Sequence, residues 1–280
     1  MIIALAPNLQ KPQVLDLSCQ IRDYLLARGI QVVSIDICKD VLRLPGLSSI
    51  KEQPQLVISL GGDGSILNFI HSYPDIDAPL MGINFGTLGF LADIPVAEAL
   101  VSLQEVLRGN FSVQKRLMLA SLDSENREWF ALNEVVFHRG RNPTLVDLSL
   151  SVDGKYLTTF SADGIIIATP SGSTAYSLSA GGPIIAPDLE AICLTPICPH
   201  TVSNRSIVLK PPQEISVTYL SDYTPIEISF DGMFRSSLST GQTFSLYPAK
   251  RAFSLIELKR IDYFAALRNK LGLTGSLKAD

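Results

Sequence analysis

Asp63 is the one side chain in the turn Gly61-Gly62-Asp63-Gly64, which joins an apolar run of strand type, Leu56 to Leu60, to a helical segment, Ser65 to His71. A strand–turn–helix junction can bring backbone N–H groups and the positive end of a helix against phosphate. Three glycines in four residues let main chain and ligand approach closely and permit positive φ. A carboxylate is a poor phosphate ligand, because like charges repel. It suits a base for a hydroxyl, a metal ligand or a hydrogen-bond acceptor for a sugar. Taken alone, GGDG is equally a tight turn with an aspartate helix cap, since short glycine motifs are weak evidence.

Three further stretches bear on chemistry. In Ser161 to Asp188, a strand ends at Pro170 and Ser171-Gly172-Ser173-Thr174 turns into the short segment Ala175 to Ala180. Small hydroxyl residues at a helix start cap free N–H groups and can also bind a ligand. Asn133-Glu134 places an amide beside a carboxylate inside an otherwise apolar strand. Adjacent strand residues point to opposite faces, so one of the two faces inward or into a cleft. A buried carboxylate without a partner is expensive, which implies a partner or a ligand. Phe230-Asp231-Gly232, as bare sequence, is a strand-end turn. No Walker A pattern GxxxxGK[ST] is present, the order of motifs is not that of a protein kinase, and no nucleophile elbow GxSxG or Ser-His-Asp set occurs. No Arg-rich cradle accompanies GGDG in the sequence.

These residues need elements to hold them. Ile2 to Ala6 reads as a short buried strand. Val14, Leu17, Ile21 and Leu25 then mark one face of a helix over Val14 to Arg28, with Gly29 at its C-cap. Gln31 to Ile37 is the next strand, Val41 to Gln53 a loop, Gln55 to Leu60 the third strand and Pro79 to Asn84 the fourth. Pro95 stands near the first turn of a helix over Val96 to Arg108, closed by Gly109. This alternation predicts a parallel α/β unit of Rossmann-like type with GGDG at the carboxyl end of a strand, where open α/β sheets bind ligands. After Gly109 the period changes. Strand-like segments run over Phe111 to Leu122, Glu128 to His138, Leu145 to Val152, Tyr156 to Phe160 and Gly164 to Thr169. Asp153-Gly154 is a hairpin turn signal. Ile192 to Leu194, Ile207 to Leu209, Glu214 to Tyr219, Ile226 to Phe230 and Phe244 to Leu246 continue an all-β region. Asp262 to Leu271 is a closing amphipathic helix. The expected organisation is an α/β domain over 1–109, an all-β domain over 110–250, and a C-terminal segment, 251–280, returning to the first domain.

At 280 residues, with 46% hydrophobic and 18% charged residues, the chain can bury a sizeable core. A formal net charge of −4 gives no electrostatic footprint for nucleic acid. The four cysteines form no CxxC pair and the three histidines are scattered, so no zinc site is expected and free thiols in a reducing compartment are the simplest account. Met1 to Ala6 reads as a strand and not a signal peptide, and no apolar run reaches membrane-spanning length.

In order and spacing, GGDG at Gly61 to Gly64, Asn84-Phe-Gly-Thr-Leu-Gly-Phe90, Asn133-Glu134, Asp163-Gly164 followed by Thr169-Pro-Ser-Gly-Ser-Thr-Ala-Tyr-Ser-Leu-Ser-Ala-Gly-Gly-Pro183, and Asp231-Gly232 resemble the NAD kinase family over nearly the whole chain. The resemblance implies transfer of the ATP γ-phosphoryl group to the 2′-hydroxyl of the adenosine ribose of NAD, giving NADP and ADP. It implies a divalent cation, usually magnesium, and a homodimer or homotetramer in the cytoplasm, with no nucleic acid or membrane partner. Asp63 matches the family's proton acceptor and Gly64 the neighbouring contact. Asn133 and Glu134 match the pair that holds the NAD ribose and base, and Asp163 a dinucleotide-binding acid. Thr174, Ala175, Tyr176, Ser177, Leu178 and Ser179 match contacts to the NAD adenosine end. Ser161 stands where many members have Arg or Lys, and Met233 where many have Gln, so contacts at those two positions do not carry over. A diacylglycerol-type lipid kinase, which shares a GGDG-like turn, and a non-catalytic NAD-binding regulator are the rival readings.

Overall fold

The structure, a computed structural model, describes residues 1–86, 89–122, 127–201, 205–260 and 263–272. The chain divides into two compact units, Met1–Gln114 with Ser254–Asp280, and Lys115–Phe253.

In the first unit, β1 (Ile2–Pro7), β2 (Gln31–Ser34), β3 (Leu56–Gly61) and β4 (Leu80–Asn84) pair in parallel in the order β2-β1-β3-β4. The sheet continues through Phe253–Glu257, parallel to β4, to Ser112–Arg116. Every residue of β1, β3 and β4 is buried, as expected for parallel strands covered on both faces. Helix α1 (Val14–Leu26) buries Val14, Leu17, Ile21 and Leu25 on one face. Gly29 follows it at φ +70°, where a glycine has no Cβ to clash. After the short helix α2 (Lys39–Leu42) come α3 (Asp63–Ser72), which buries Ile66, Leu67, Phe69 and Ile70, and α4 (Ala99–Leu107). The chain moves from β1 outward to β2, then back to β3 on the other side of β1. The order therefore reverses between β1 and β3, and ligands of open α/β sheets bind outside the strand ends at such a point. Pro7 and Leu60 are register partners there, so GGDG leaves β3 at that point.

The second unit holds two six-stranded antiparallel sheets. One runs Lys155–Ala162, Val146–Val152, Ile215–Tyr219, Thr243–Pro248, Leu119–Leu122, Glu128–Ala131; the other runs Ile207–Leu209, Ile192–Ile197, Gly164–Ala168, Glu134–His138, Ile226–Phe230, Phe234–Leu238. Both contribute to one core that includes Phe137, Leu148, Phe160, Ile165, Val217, Tyr219 and Phe230. Phe244 packs edge-on against Phe137 and Phe230, at 5.7 and 6.2 Å between ring centroids. The parallel-rich α/β unit, the antiparallel unit and the closing helix agree with the expected fold class.

Several expected elements differ. The strand predicted over Gln31 to Ile37 stops at Ser34, because the next residues turn into a 3-10 segment, Asp36–Cys38. There the Asp36 N–H donates to the Tyr73 hydroxyl and the Asp36 carboxylate accepts from Ser48, contacts far away in sequence. The loop over Val41 to Gln53 contains the end of α2 and a 3-10 turn, Leu47–Ser49. Phe111 to Leu122 is not one strand: Ser112–Arg116 joins the parallel-rich sheet and Leu119–Leu122 an antiparallel one. Glu128 to His138 breaks at Leu132-Asn133. The strands Phe234–Leu238 and Phe253–Glu257 were not expected. The closing helix spans Tyr263–Leu271; Asp262 and, in the glycine-rich loop, Thr87 and Leu88 lie outside the described residues.

Gly82 in β4 has no room for a side chain: a Cβ would stand 2.8 Å from the Ala92 Cα and 2.9 Å from the Leu91 carbonyl oxygen, both backbone. Gly82→Ala should therefore cost about 1–3 kcal/mol by overpacking. In urea unfolding, the midpoint should fall at unchanged slope. A parental midpoint would show that the loop at 91–92 yields freely.

Candidate functional site

Gly62, not Asp63, is the N-cap residue of α3, and Asp63 opens the helix. Its carboxylate is not a helix cap. It accepts three consecutive main-chain N–H groups from the next loop: Phe90 at Oδ2 (2.9 Å), and Leu91 (3.1 Å) and Ala92 (2.8 Å) at Oδ1. The space beside Gly89 is filled by Asp63 Oδ1 and the Ala92 carbonyl, so no Cβ fits there. A carboxylate has about four acceptor positions, so one remains at Asp63.

Two lysines from distant sequence reach this turn. Lys11, in the loop after β1, donates from Nζ to the Gly61 carbonyl (2.8 Å). Its Nζ stands 3.2 Å and 3.5 Å from where a Cβ on Gly62 or Gly86 would be. Among the described residues no carboxylate pairs with it. Lys270, in the closing helix, stands 3.6 Å from Asp63 Oδ2 and 4.3 Å from the Phe90 ring centroid. Sequence reasoning looked for arginines near GGDG and missed both. Lys11 had a faint signal, a cation in the loop directly after the first strand; Lys270 had none.

The second unit repeats the carboxylate device. Asp231, in the left-handed region at φ +49°, accepts the N–H groups of Leu132 at Oδ2 (2.8 Å), and Asn133 (2.8 Å) and Glu134 (3.1 Å) at Oδ1. Its own N–H donates to the Glu134 carbonyl (3.0 Å). From the other side, the Thr169 hydroxyl donates to the Leu132 carbonyl (2.5 Å) and the Thr169 N–H to the Asn133 carbonyl (2.8 Å). Leu132 and Asn133 therefore leave the strand ladder, and Asn133 lies at a break, not inside a strand. The role of Asp231 was missed because Asp-Gly reads as an ordinary turn.

Glu134 is only 7% exposed, and its Oε2 has no hydrogen-bond partner. Burial, reinforced by the charge of Asp231, pushes its pKa from 4.5 up to about 8. The carboxyl therefore holds a proton in the unliganded protein at neutral pH.

The segment after Pro170 is a 3-10 turn, Gly172–Thr174, followed by a single helical turn, Tyr176–Ser179. The expected hydroxyl caps are not formed. Ser173 Oγ donates to the Pro170 carbonyl (2.7 Å) and accepts the Ile185 N–H (3.0 Å), while Thr174 Oγ1 donates to the Ser171 carbonyl (3.2 Å). Ser177 is buried with its hydroxyl on that of Thr195 (2.9 Å). Thr174, Ala175, Tyr176, Leu178 and Ser179 remain accessible, while Ser177 exposes neither side chain nor main chain.

Asp163 does not join the Glu134 cluster. It precedes the strand Gly164–Ala168, whose far end, Ala168, is the partner of Glu134. Five residue steps of strand separate the two levels, about 16 Å. Asp163 instead accepts from Arg139 Nε (2.6 Å), a cation that sequence reasoning had not connected to it.

No three His, Cys, Asp or Glu side chains among the described residues gather as a metal site. No helix among them is long and apolar enough to cross a membrane.

Comparison with known proteins supports the same architecture. Residues 3–111 match the ATP-NAD kinase N-terminal domain and residues 132–258 the ATP-NAD kinase C-terminal domain. The NAD kinase of Protochlamydia amoebophila is 51% identical over 278 residues, covering 99% of this chain and 100% of that protein. The NAD kinase of Geotalea daltonii is 37% identical, covering 96% and 97%. Among solved structures, yeast NADH kinase complexed with NADH superposes with a TM-score of 0.85 at 25% identity, covering 100% of this chain and 90% of that one. An NAD kinase from Archaeoglobus fulgidus in complex with ATP gives 0.75 at 22% identity, over 97% and 98%, a likeness of fold. Fold, motifs and relatives together define a kinase. The chain belongs to the ATP-NAD kinase family. Its reaction is the phosphorylation of NAD by ATP, and the lipid-kinase and regulator readings find no support in these relatives.

The state of Glu134 has a measurable consequence. Unfolded, it ionises near 4.5; folded, it keeps its proton to about 8. Between those values the folded state binds more protons, so this group's contribution makes stability fall as pH rises through the window and level off above it. Glu134→Gln removes the ionisation at similar shape. Relative to the parent, its melting temperature should be higher at pH 8 than at pH 5 by about 5 °C or more. Superimposable pH curves would show that Glu134 is not held neutral.

Proposed function

We propose that Asp63 is the proton acceptor when the 2′-hydroxyl of NAD attacks the γ-phosphorus of ATP. The observation that supports this most is the grip on its carboxylate. Three N–H groups fix both oxygens at a glycine turn beside the strand-order reversal, leaving one acceptor position for a hydroxyl. The hydroxyl oxygen forms the new bond to phosphorus, its proton passes to Asp63, and the bond from the γ-phosphorus to the bridging oxygen breaks, with ADP leaving. Phosphoryl transfer of this kind depends mainly on alignment and charge neutralisation. Lys11 supplies positive charge at the turn, and Gly62, Gly64 and Gly86 let phosphate approach.

Asn133 and Glu134 hold the ribose and base of NAD. Thr174, Ala175, Tyr176, Leu178 and Ser179 meet its adenosine end, and the buried Ser177 anchors their turn through Thr195 and Gly182. The family resemblance also gives Asp163 a dinucleotide contact, in which its charge is shared with Arg139. A divalent cation, magnesium in our reading, would supply charge neutralisation at the ATP phosphates when bound. We further propose a homodimer or homotetramer acting in the cytoplasm, on the family resemblance.

Asp63→Asn should lower kcat by at least ~100-fold, the loss expected for a general base, with NAD affinity within a few-fold of the parent. An amide also opposes one of the N–H donors, so the melting temperature should drop. To separate base from clamp, formate added to Asp63→Ala should restore part of the turnover. Near-parental kcat in Asp63→Asn would remove Asp63 from the chemistry.

If Glu134 accepts a ribose hydroxyl in its ionised form, NAD binding releases its proton. Affinity for NAD should then rise with pH up to about 8, the value in the free protein. Glu134→Ala should lower kcat/KM for NAD roughly tenfold to a hundredfold, with little effect on ATP. Equal losses for both substrates, or NAD affinity independent of pH, would leave Glu134 a structural role only.

A further inference from the structure

The closing helix, Tyr263–Leu271, comes from the far end of the sequence and brings Lys270 to the GGDG turn. Its approach is fixed near its start. Arg260 pairs there with Glu98 and Glu105 and donates to the Ser102 hydroxyl, all on or just before α4. Tyr263, Ala266, Leu267 and Lys270 have the spacing of one helix face. Ala266 and Leu267 are buried on that face, and the Tyr263 ring stands 6.4 Å from the Phe90 ring, centroid to centroid. Lys270 continues the same face toward the helix end.

A lysine in the last turn of a helix ordinarily keeps its charge in water, near the negative end of the dipole. The Lys270 side chain is only 25% exposed, and its Nζ lies 3.6 Å from Asp63 Oδ2 and 4.3 Å from the Phe90 ring centroid. Phe90 is the residue whose N–H that same Oδ2 accepts. Oδ1 accepts two main-chain N–H groups and Oδ2 one, so the acceptor position left open is on Oδ2, the oxygen that Lys270 faces. At 3.6 Å the contact is an ion pair and not a hydrogen bond, so the ammonium keeps its donors for another acceptor. Lys11, by contrast, is already bonded to the Gly61 carbonyl.

We infer that Lys270 is a catalytic residue whose ammonium donates to a non-bridging oxygen of the γ-phosphoryl group as that group passes to the 2′-hydroxyl. The inference rests on the reading that Asp63 takes the hydroxyl proton. A hydroxyl bonded to Oδ2 has its oxygen beside Lys270, and the phosphorus it attacks lies one bond further on, within the swing of a flexible four-carbon stem. Lys270 transfers no proton. It offsets charge on the group in transit, while the hydroxyl proton goes to Asp63 and ADP leaves. The ion pair with Asp63 holds the ammonium at the turn before substrates arrive, and charge placed in advance costs no reorganisation during reaction.

The test uses the full chain with ATP, NAD and magnesium, measuring NADP formed, with Asp63→Asn in the same assay. Lys270→Met keeps a long, helix-forming side chain and removes the charge. Its kcat should fall at least ~100-fold, the loss typical of one preorganised donor. The KM values for NAD and ATP should stay within a few-fold, because the interaction is made in the transition state. Lys270→Arg, which keeps the charge, should retain much more turnover than Lys270→Met. In Lys270→Ala, propylammonium should restore part of the turnover, and tetramethylammonium, equally charged but without an N–H, should not. Near-parental kcat in Lys270→Met, beside a disabled Asp63→Asn, would overturn the inference alone. Equal restoration by both salts would do the same, as would loss of turnover in all three Lys270 variants with no return in propylammonium, which would make Lys270 a support for the helix. A parental kcat in Asp63→Asn would overturn the underlying reading, and the inference with it.

Discussion

A carboxylate that grips three consecutive main-chain N–H groups is the constraint on which the proposed functional residues of each unit depend. Asp63 does this to Phe90, Leu91 and Ala92; Asp231 does it to Leu132, Asn133 and Glu134. Hydrogen bonds to a charged acceptor contribute about 1.5–3 kcal/mol each, roughly twice those between neutral groups. They hold segments that no helix or strand ladder supports. In the first unit the gripping carboxylate is itself the group proposed to take the proton, so its position is set by the loop it holds. In the second, the gripped segment carries Asn133 and Glu134, the side chains proposed to hold NAD, and Asp231 holds their main chain.

The scaffolds around these clamps are ordinary in chemistry and strict in shape. Parallel strands buried on both faces fix the end of β3, and with it the direction in which GGDG leaves the sheet. Gly82 and Gly89 are needed because the clamped loop packs directly against strand and carboxylate, with no space for a methyl group. Gly172 serves the second unit in the same way: the Asn133 backbone fills the space beside it. These glycines act by close approach, not by positive φ.

Charge is distributed unevenly between the two clamps. Around Asp63 two ammonium groups, Lys11 and Lys270, balance a carboxylate that phosphate must approach. Beside Asp231, burial and its neighbour's charge hold Glu134 in the neutral form. A nucleotide carrying several negative charges suits the first setting. A ribose hydroxyl, neutral and able to donate, suits the second.

The sequence by itself determined the class of fold and the position of its turns. Period-3.6 runs, β-branched strands and the glycines at 29, 109 and 154 are local signals, and local backbone preferences are what a single chain displays. The order of GGDG, Asn133-Glu134, the Thr169 to Pro183 stretch and Asp231-Gly232 was enough to indicate the family. Tertiary structure decided what those residues touch. Nothing local distinguishes a helix-capping aspartate from one that bonds a loop 27 to 29 residues away, as Asp63 does. Nor does a local pattern bring Lys11 and Lys270 to one turn, pair Asp163 with Arg139, or break a run such as Glu128 to His138 where a distant carboxylate competes for its N–H groups. The charge state of Glu134 belongs to the same class, because burial and a neighbouring charge, which no stretch of sequence contains, set it.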